Sequence, residues 1–180
     1  NIKILPFYKK CKRMDVEKQF DYCYISLAHP HKNHKKFFDA LKILEQKKLP
    51  LSFAVTIELD KQYLIKIIEE INKNDIIKII NFGTISKEKV CKLYAQSKCL
   101  IFPSLEESFA LPLIEAADIG LDVISSDLDY VYQVIDPSLT FNPNDAQSIA
   151  DTIQKYKEGN CPKSKAKIKN NISELIELIL

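Results

Sequence analysis

The sequence predicts an α/β domain in which helices cover both faces of a doubly wound parallel β-sheet. Two observations favour this class: short apolar runs alternate with segments of helical periodicity, and turn residues separate them along most of the chain. The 180 residues are enough for one well-cored domain. Right-handed crossovers should connect the strands, so that their carboxyl ends lie along one edge of the sheet.

The individual elements follow from these patterns. Strands are predicted in the apolar or β-branched runs 22–27, 51–57, 76–82, 98–102, 121–125 and 138–142. Helices are predicted at 33–48, 61–73, 87–97, 112–119, 128–135 (a short helix or a turn) and 146–158. Ser86 and Asp145 are suitable N-caps, and Gly120 is a suitable end for the fourth helix.

The two ends of the chain differ from this middle part. Residues 1–21 lack strong periodicity and are predicted to be an interdomain connection, so the domain itself should occupy residues 22–160. Residues 161–180 are predicted to form a basic linker and a C-terminal amphipathic helix. The spaced lysines of this linker favour a solvated segment. A contact with an anionic membrane surface is the alternative.

Composition excludes several classes of protein. With 26 basic and 24 acidic residues the net charge is +2, which does not favour nucleic-acid binding. Only three glycines are present, and neither a Gly-x-Gly-x-x-Gly motif nor a Walker A motif occurs. The five cysteines are scattered without a Cys-x-x-Cys motif, so we expect reduced thiols and a cytoplasmic protein. No apolar run approaches the length of a membrane span, and no signal peptide is apparent.

Residues 100–119, LIFPSLEESFALPLIEAADI, combine a strand, an irregular turn and a helix. This layout places a ligand at the carboxyl end of a parallel strand. Pro112 suits the first helical position, and the free amides at a helix start favour an anion. Glu107 lies in the turn and Glu115 about one turn into the helix, with seven residues between them.

This pattern resembles the Glu-x7-Glu motif of the retaining nucleotide-sugar glycosyltransferases of family 4, which have the GT-B fold. The usual form PSxxEGFGLPxxEAMAxGxPVI is matched here by PSLEESFALPLIEAADIGLDVI. Further blocks agree in order along residues 22–158, namely HKNH at 31–34, NFG at 81–83, LYA at 93–95 and FNPND at 141–145. The resemblance implies one Rossmann-like half of a GT-B enzyme, the carboxy-terminal half that binds the nucleotide sugar.

The resemblance also implies an activity. It predicts transfer of a hexose from a UDP- or GDP-sugar to a saccharide or lipid-linked acceptor, with retention and without a metal or other cofactor. Cell-surface polysaccharide or lipopolysaccharide synthesis is the implied setting, at the inner face of the plasma membrane if the protein is peripheral. The amino-terminal half would be missing, so this chain alone should be inactive. A non-catalytic nucleotide-sugar-binding module and a nucleotide-sugar epimerase or phosphorylase on the same fold remain alternatives.

The resemblance assigns roles to individual residues. Lys32, just before a helix start, should bind the donor diphosphate. Glu115 should accept the ribose hydroxyls, and Glu107 should hold the transferred sugar and support the charged transition state. The remaining donor-binding positions are the segment beside the base and the turn amides, namely Gly83, Thr84, Ile85, Ser108, Phe109, Ala110 and Leu111. The neighbouring Glu106 is interpreted as a surface residue.

The chain departs from the family pattern in two segments, and Ser26 and Leu27 align with the Gly-Arg pair that most members have. Leu27 stands where most members have an arginine for the phosphates, and Ser108 and Ala110 replace two glycines. If those two positions need positive φ, a Cβ atom costs roughly 1 kcal/mol or more. The three histidines at 29, 31 and 34 do not form a strong metal signature, so we expect them to hydrogen-bond the donor or the backbone, with no metal bound.

Overall fold

The computed structural model describes Tyr8, residues 10–168 and residues 176–177. Six parallel strands form the sheet: β1 (Phe20–Tyr24), β2 (Leu51–Val55), β3 (Ile77–Asn81), β4 (Ser97–Phe102), β5 (Asp122–Ser126) and β7 (Leu139–Phe141). A separate antiparallel pair consists of β6 (Ile135–Asp136) and β8 (Lys165–Ala166). The helices are α1 (His34–Gln46), α2 (Gln62–Asn72), α3 (Lys87–Gln96), α4 (Leu111–Asp118), α5 (Asp129–Val134) and α6 (Ala146–Glu158).

The strand order β3-β2-β1-β4-β5-β7 is that of a doubly wound sheet, which confirms the predicted fold class. The chain winds outward from β1 through β2 to β3, crosses back to β4 beside β1, and then winds the other way. Helix α1 packs against α2 and α6, while α4 packs against α5. The winding direction reverses between β1 and β4, and a crevice opens at such a point beyond the strand ends.

The core is built from apolar strand faces and an aromatic cluster. Tyr22 stacks on Phe53 with ring centroids 5.2 Å apart, and Phe37 contacts Tyr24 at 5.3 Å and Phe53 at 5.6 Å. All four rings are fully buried. The Tyr22 hydroxyl donates a 2.7 Å hydrogen bond to the Ile153 carbonyl, so its polar end is satisfied inside the core.

Local signals account for most element boundaries. The Ser86 hydroxyl accepts from the Lys89 amide, and the Asp145 carboxylate accepts from the Gln147 amide at 2.9 Å, so both predicted N-caps are confirmed. Strand β1 begins at Phe20, two residues before the predicted start and inside the stretch predicted to be a connection. The predicted C-terminal helix lies almost entirely outside the described residues.

Part of the segment predicted to be a basic linker folds onto the domain instead. The Ser164 hydroxyl accepts hydrogen bonds from the Val123 amide at 2.8 Å and the Ser138 amide at 3.0 Å. These two amides lie just before the first paired residues of β5 and β7, and the Ser138 amide also donates to the Val123 carbonyl at 2.8 Å. The Ser164 side chain therefore adds hydrogen bonds at the point where the pairing of the two strands begins. The next two residues, Lys165–Ala166, form β8. The prediction of a linker is therefore wrong for residues 164–166.

The prediction of reduced thiols is wrong for two of the five cysteines. Cys11 and Cys91 form a disulfide with Cα atoms 5.3 Å apart, which joins the segment before β1 to α3. Cys23, Cys99 and Cys161 are free. Burial raises the pKa of the Cys23 thiol to about 12, so this thiol is unreactive at neutral pH.

No helix among the described residues is long and apolar enough to cross a lipid bilayer.

Candidate functional site

A cleft of about 730 Å³ lies at the carboxyl ends of β1 and β4, where the strand order reverses. Its walls come from the segment after β1 and from the turn between β4 and α4. The lining residues are Ile25, Ser26, Leu27, His29, His31, Lys32, Phe102, Glu106, Glu107, Ser108 and Pro112. Two segments far apart in sequence therefore meet at the place where doubly wound sheets bind ligands.

Hydrogen bonds between backbone and short side chains hold the turn in place. The His31 carbonyl accepts from the Leu105 amide at 2.8 Å and from the Ser104 hydroxyl at 3.2 Å. The Ser104 carbonyl accepts in turn from the Ser126 hydroxyl at 2.7 Å and the Tyr130 hydroxyl at 2.8 Å. The two walls of the cleft are thus joined to each other and to β5 and α5, which fixes their separation.

Asn33 sets the direction in which Lys32 points. A short 3₁₀ turn, Pro30–Lys32, ends at Asn33, which has a left-handed backbone with φ 65°. Its side-chain amide donates to the Pro103 carbonyl at 3.1 Å and the Pro143 carbonyl at 2.8 Å. Asparagine tolerates this conformation better than most residues. The sharp turn leaves Lys32 on the cleft wall while α1 starts in another direction.

Lys32 and Glu107, the predicted phosphate-binding and catalytic residues, form an ion pair across the cleft. Their side chains are 15% and 10% exposed, and the Lys32 ammonium lies 5.7 Å from the centroid of the Phe102 ring. A pair this well shielded interacts more strongly than a surface pair, and removing one partner leaves the other charge uncompensated. The geometry thus brings together two residues that are 75 positions apart in sequence.

Glu115 forms a second ion pair, with a residue that sequence reasoning missed. Lys87, the first residue of α3, contacts Glu115 Oε1, and the side chains are 28% and 9% exposed. Tyr94, two turns further along α3, is buried nearby, and its pKa is raised well above the ordinary value, first by burial and then by the charge of Glu115. No spacing rule links residues 87 and 115, so only the tertiary structure reveals this contact.

The predicted base-binding segment lies beside Lys87 and does not line the cleft described above. Gly83 has φ 64°, and its amide donates to Asn81 Oδ1 at 3.1 Å. Thr84 is exposed and Ile85 is partly buried. These residues come just before α3, whose first residue contacts Glu115, so the predicted base and ribose positions are neighbours in the structure.

In the turn before α4, only one of the two positions where the family usually has glycine requires positive φ. Ala110 has φ 50°, so this position does require a left-handed backbone, whereas Ser108 does not have positive φ. Phe109 is partly buried between them. Helix α4 begins at Leu111, so Pro112 is its second residue rather than its first. The Cβ atom of Ala110 therefore adds strain at the helix start beside the cleft.

We expect Ala110→Gly to raise the free energy of unfolding by about 0.5–1 kcal/mol, because relief of the left-handed strain exceeds the entropy that glycine adds to the unfolded chain. Urea unfolding would measure the change. Lys48→Gly is a matched control, since Lys48 has φ 55° after α1, is exposed and lies outside the site. It should give a similar gain, and a loss of stability in Ala110→Gly would contradict the assignment of strain.

Leu27, which stands where most family members have an arginine, is an apolar residue in the wall of the cleft. Its side chain is 50% exposed. His29 and His31 also line the cleft, and their rings stack 5.7 Å apart. Glu106 is exposed, as predicted, although it borders the cleft.

His34 differs from the other two histidines. It is buried against Tyr24 with ring centroids 4.6 Å apart, and neither ring nitrogen has a hydrogen-bond partner among the described residues. The expected hydrogen bond to the backbone is therefore absent for this residue, while a hydrogen bond to the donor stays a prediction. Within the described ranges no three His, Cys, Asp or Glu side chains are arranged to hold a metal ion. Independence from metal stays a prediction.

Comparison with known proteins gives the following matches. A family model described as "Glycosyl transferases group 1" matches residues 10–174. The O-antigen chain mannosyltransferase B of Escherichia coli is 27% identical over 134 residues, which are 72% of this chain and 35% of that protein. The chain thus spans about a third of the length of this curated relative.

Two solved structures share the fold. A glycosyltransferase from Rickettsia africae ESF-5 superposes with a TM-score of 0.63 at 19% identity, covering 80% of this chain and 39% of that chain. Anabaena HepE, solved in complex with UDP and glucose, superposes with a TM-score of 0.58 at 18% identity, covering 77% and 39%.

Proposed function

Because the chain belongs to the group 1 glycosyltransferase family, we propose that it is the nucleotide-sugar-binding half of a GT-B hexosyltransferase. One observation carries this proposal. The predicted phosphate and sugar residues, Lys32 and Glu107, meet in the cleft where the strand order reverses, and Glu115 lies about one turn into the adjoining helix. This is the place and the set of charges that a donor with a diphosphate, a ribose and a sugar requires.

Each residue then has a chemical role. The diphosphate competes with Glu107 for Lys32, whose ammonium group, together with the amides at the start of α4, stabilises negative charge on the leaving diphosphate. Glu107, once released, accepts a hydroxyl of the transferred sugar and stabilises the positive charge that develops on the sugar ring. Glu115 accepts the ribose hydroxyls. Ser108, Phe109, Ala110 and Leu111 surround the diphosphate, while Gly83, Thr84 and Ile85 border the base.

The proposed reaction transfers a hexose with retention and without a metal, from a UDP- or GDP-sugar to a saccharide or lipid-linked acceptor. The UDP and glucose in the Anabaena structure support a nucleotide-sugar donor. The O-antigen relative supports cell-surface polysaccharide synthesis. Because the chain spans only part of that relative, we propose that the acceptor site lies in an amino-terminal domain outside this chain. The chain alone should then bind donor without sustained transfer to acceptor.

The proposed setting is the cytoplasm, with peripheral contact to the inner face of the plasma membrane. The exposed Lys163, Lys165 and Lys167 support such a contact, and a lysine near an anionic surface contributes about 1 kcal/mol. Two of them are already paired, Lys163 with Asp122 and Lys167 with Asp136, which weakens the attraction. Disulfides such as Cys11–Cys91 are rare in cytoplasmic proteins. A stable Cys11–Cys91 disulfide in the isolated protein would therefore argue against a cytoplasmic setting.

A non-catalytic nucleotide-sugar-binding module is the second candidate. Leu27 at the position of the usual arginine favours it, because the cleft then offers one cation fewer to a leaving diphosphate. Donor binding by the full-length protein without transfer to any acceptor would support this candidate over the enzyme.

Calorimetric titration with UDP, GDP and their hexose conjugates tests the proposed donor site. We expect micromolar to millimolar binding of one nucleotide. Lys32→Ala and Glu115→Ala should each weaken it about tenfold or more, since each removes a hydrogen bond to a charged group. Lys66→Ala and Glu69→Ala, two exposed positions on α2, are the matched controls and should bind as the wild type does.

Binding that is unchanged in both site variants would contradict the assigned roles. No binding of any nucleotide would contradict the proposed donor site of this chain.

A further inference from the structure

Lys87 is the residue of the site that neither the sequence pattern nor the family resemblance assigns. It opens α3, and its ammonium group contacts Glu115 Oε1 on α4. The two helices follow β3 and β4, which are not neighbours in the sheet. A single contact therefore bridges the predicted base side of the site and the carboxylate proposed to bind ribose.

A lysine is electrostatically unfavourable where Lys87 lies. The amino end of a helix carries partial positive charge, so acidic residues are preferred there, as Glu88 illustrates one position later. The carboxylate of Glu115 supplies the compensating negative charge. The location of Lys87 is thus explained by its partner across the site and not by the needs of its own helix.

Glu115 in turn depends on a counter-charge, because its side chain is only 9% exposed. The other titratable groups near it are Tyr94 from α3 and Tyr8 from the segment before β1, whose hydroxyl donates to Asp118. The pKa of each phenol is raised, chiefly by burial, so both stay neutral at neutral pH. Among the described residues, Lys87 is the cation paired with Glu115.

The ion pair uses one oxygen of the Glu115 carboxylate. Lys87 contacts Oε1, and a carboxylate can accept further hydrogen bonds through its second oxygen. The ammonium group therefore does not have to leave when hydroxyl groups approach. It can hold the carboxylate in one orientation while Oε2 accepts from the ligand.

We propose that Lys87 is the positioning residue for Glu115, and that this pair gives the site its preference for ribonucleotides over 2′-deoxyribonucleotides. The inference rests on the proposed function, which gives Glu115 the ribose. A site built to accept a hydroxyl group discriminates against an analogue that lacks it. Without Lys87 the carboxylate loses its orientation, and the contribution of the 2′-hydroxyl should disappear while the phosphate contacts remain.

The test compares UDP with 2′-deoxy-UDP, or GDP with 2′-deoxy-GDP, by calorimetry, using whichever base the wild type binds. We expect the wild type to prefer the ribonucleotide about tenfold, the effect of one hydrogen bond to a charged group. Lys87→Met should lose most of this preference by weakening ribonucleotide binding alone. Lys87→Arg should restore it. Lys92→Met, an exposed position on the same helix, should behave as the wild type.

The outcomes separate the two proposals. A preference that persists in Lys87→Met overturns the role of Lys87 and leaves the donor site standing. A wild type that binds no nucleotide, or that binds both forms equally, overturns the proposed role of Glu115 and this inference with it. If Lys87→Met does not fold, as judged by circular dichroism, Lys87→Ala carries the same prediction, because it also removes the contact with Glu115.

Discussion

Replacing Cys11 and Cys91 by serine should lower the free energy of unfolding by about 4 kcal/mol. The disulfide joins residues 80 positions apart, so it removes much of the conformational freedom of the unfolded chain. In the folded protein it anchors the segment before β1 to α3, the helix that carries Lys87 and Tyr94. The change should exceed that of any single surface substitution.

Urea unfolding with and without a thiol reductant would measure this effect. Cys161→Ser is the control, because Cys161 is a free cysteine outside the core and its replacement should leave stability unchanged. Thiol titration of the unfolded, unreduced protein should find the three free cysteines, Cys23, Cys99 and Cys161. Reaction of all the cysteines, with no effect of reductant on stability, would show that the isolated protein lacks the bond.

Acid should destabilise the fold through His34. Burial lowers the pKa of His34 from 6.5 to about 4, so between these values the unfolded state binds a proton that the folded state does not. Its contribution to stability is therefore complete above pH 6.5 and is lost as the pH falls towards 4. The total loss is roughly 3 kcal/mol. No other described residue offers its ring nitrogens a hydrogen bond that would compensate.

Unfolding free energies of the wild type and of His34→Leu, measured from pH 7.5 to pH 4.5, would isolate this contribution from that of the carboxylates. The variant should be within about 1 kcal/mol of the wild type at pH 7.5, since only ring stacking is lost, and should become relatively more stable as the pH falls. His29→Leu, at an exposed histidine in the segment before α1, is the control for replacing a histidine by leucine. Parallel curves for wild type and His34→Leu would refute the prediction.

Much of the fold is predictable from the sequence because each strand of the sheet is a short apolar run and each helix has a clear apolar face. The run that becomes β5 is buried at every position, and the periodic segment that becomes α1 buries Phe37, Leu41 and Leu44. Capping residues such as Ser86 and Asp145 then fix where helices begin. These signals are local, so they do not depend on knowing the tertiary structure.

The missed features depend on contacts between distant residues. β6 and β8 have two residues each and no pattern of their own, and they form because Ser164 binds two backbone amides of the sheet. The disulfide and the Lys87–Glu115 pair likewise join positions that no spacing rule connects. The strands and helices of the main sheet are therefore predictable from the sequence much more completely than the fold of residues 164–166 or the pairing of the cysteines.

At the candidate site, single residues could be predicted from the sequence, whereas the contacts between them could not. The resemblance assigns roles to Lys32, Glu107 and Glu115, which stay predictions, and it draws attention to Ala110, whose left-handed backbone the structure shows. It gave no indication that Lys32 and Glu107 would contact each other or that Glu115 would have a lysine partner. Charged side chains in a sequence show which groups are available, whereas their pairing depends on the strand order.

The most direct test of the central claim is to locate nucleotide binding by NMR titration of the ¹⁵N-labelled chain with UDP or GDP. We predict that the largest amide shifts occur in residues 29–34 and 105–115, at the cleft between β1 and β4, and in residues 83–87, which lie outside that cleft and beside Glu115. A second cleft, lined by Asp21, Lys98 and Lys157, lies at the opposite ends of the strands and serves as an internal comparison. Shifts centred on that cleft, or no shifts with either nucleotide, would contradict the proposed donor site.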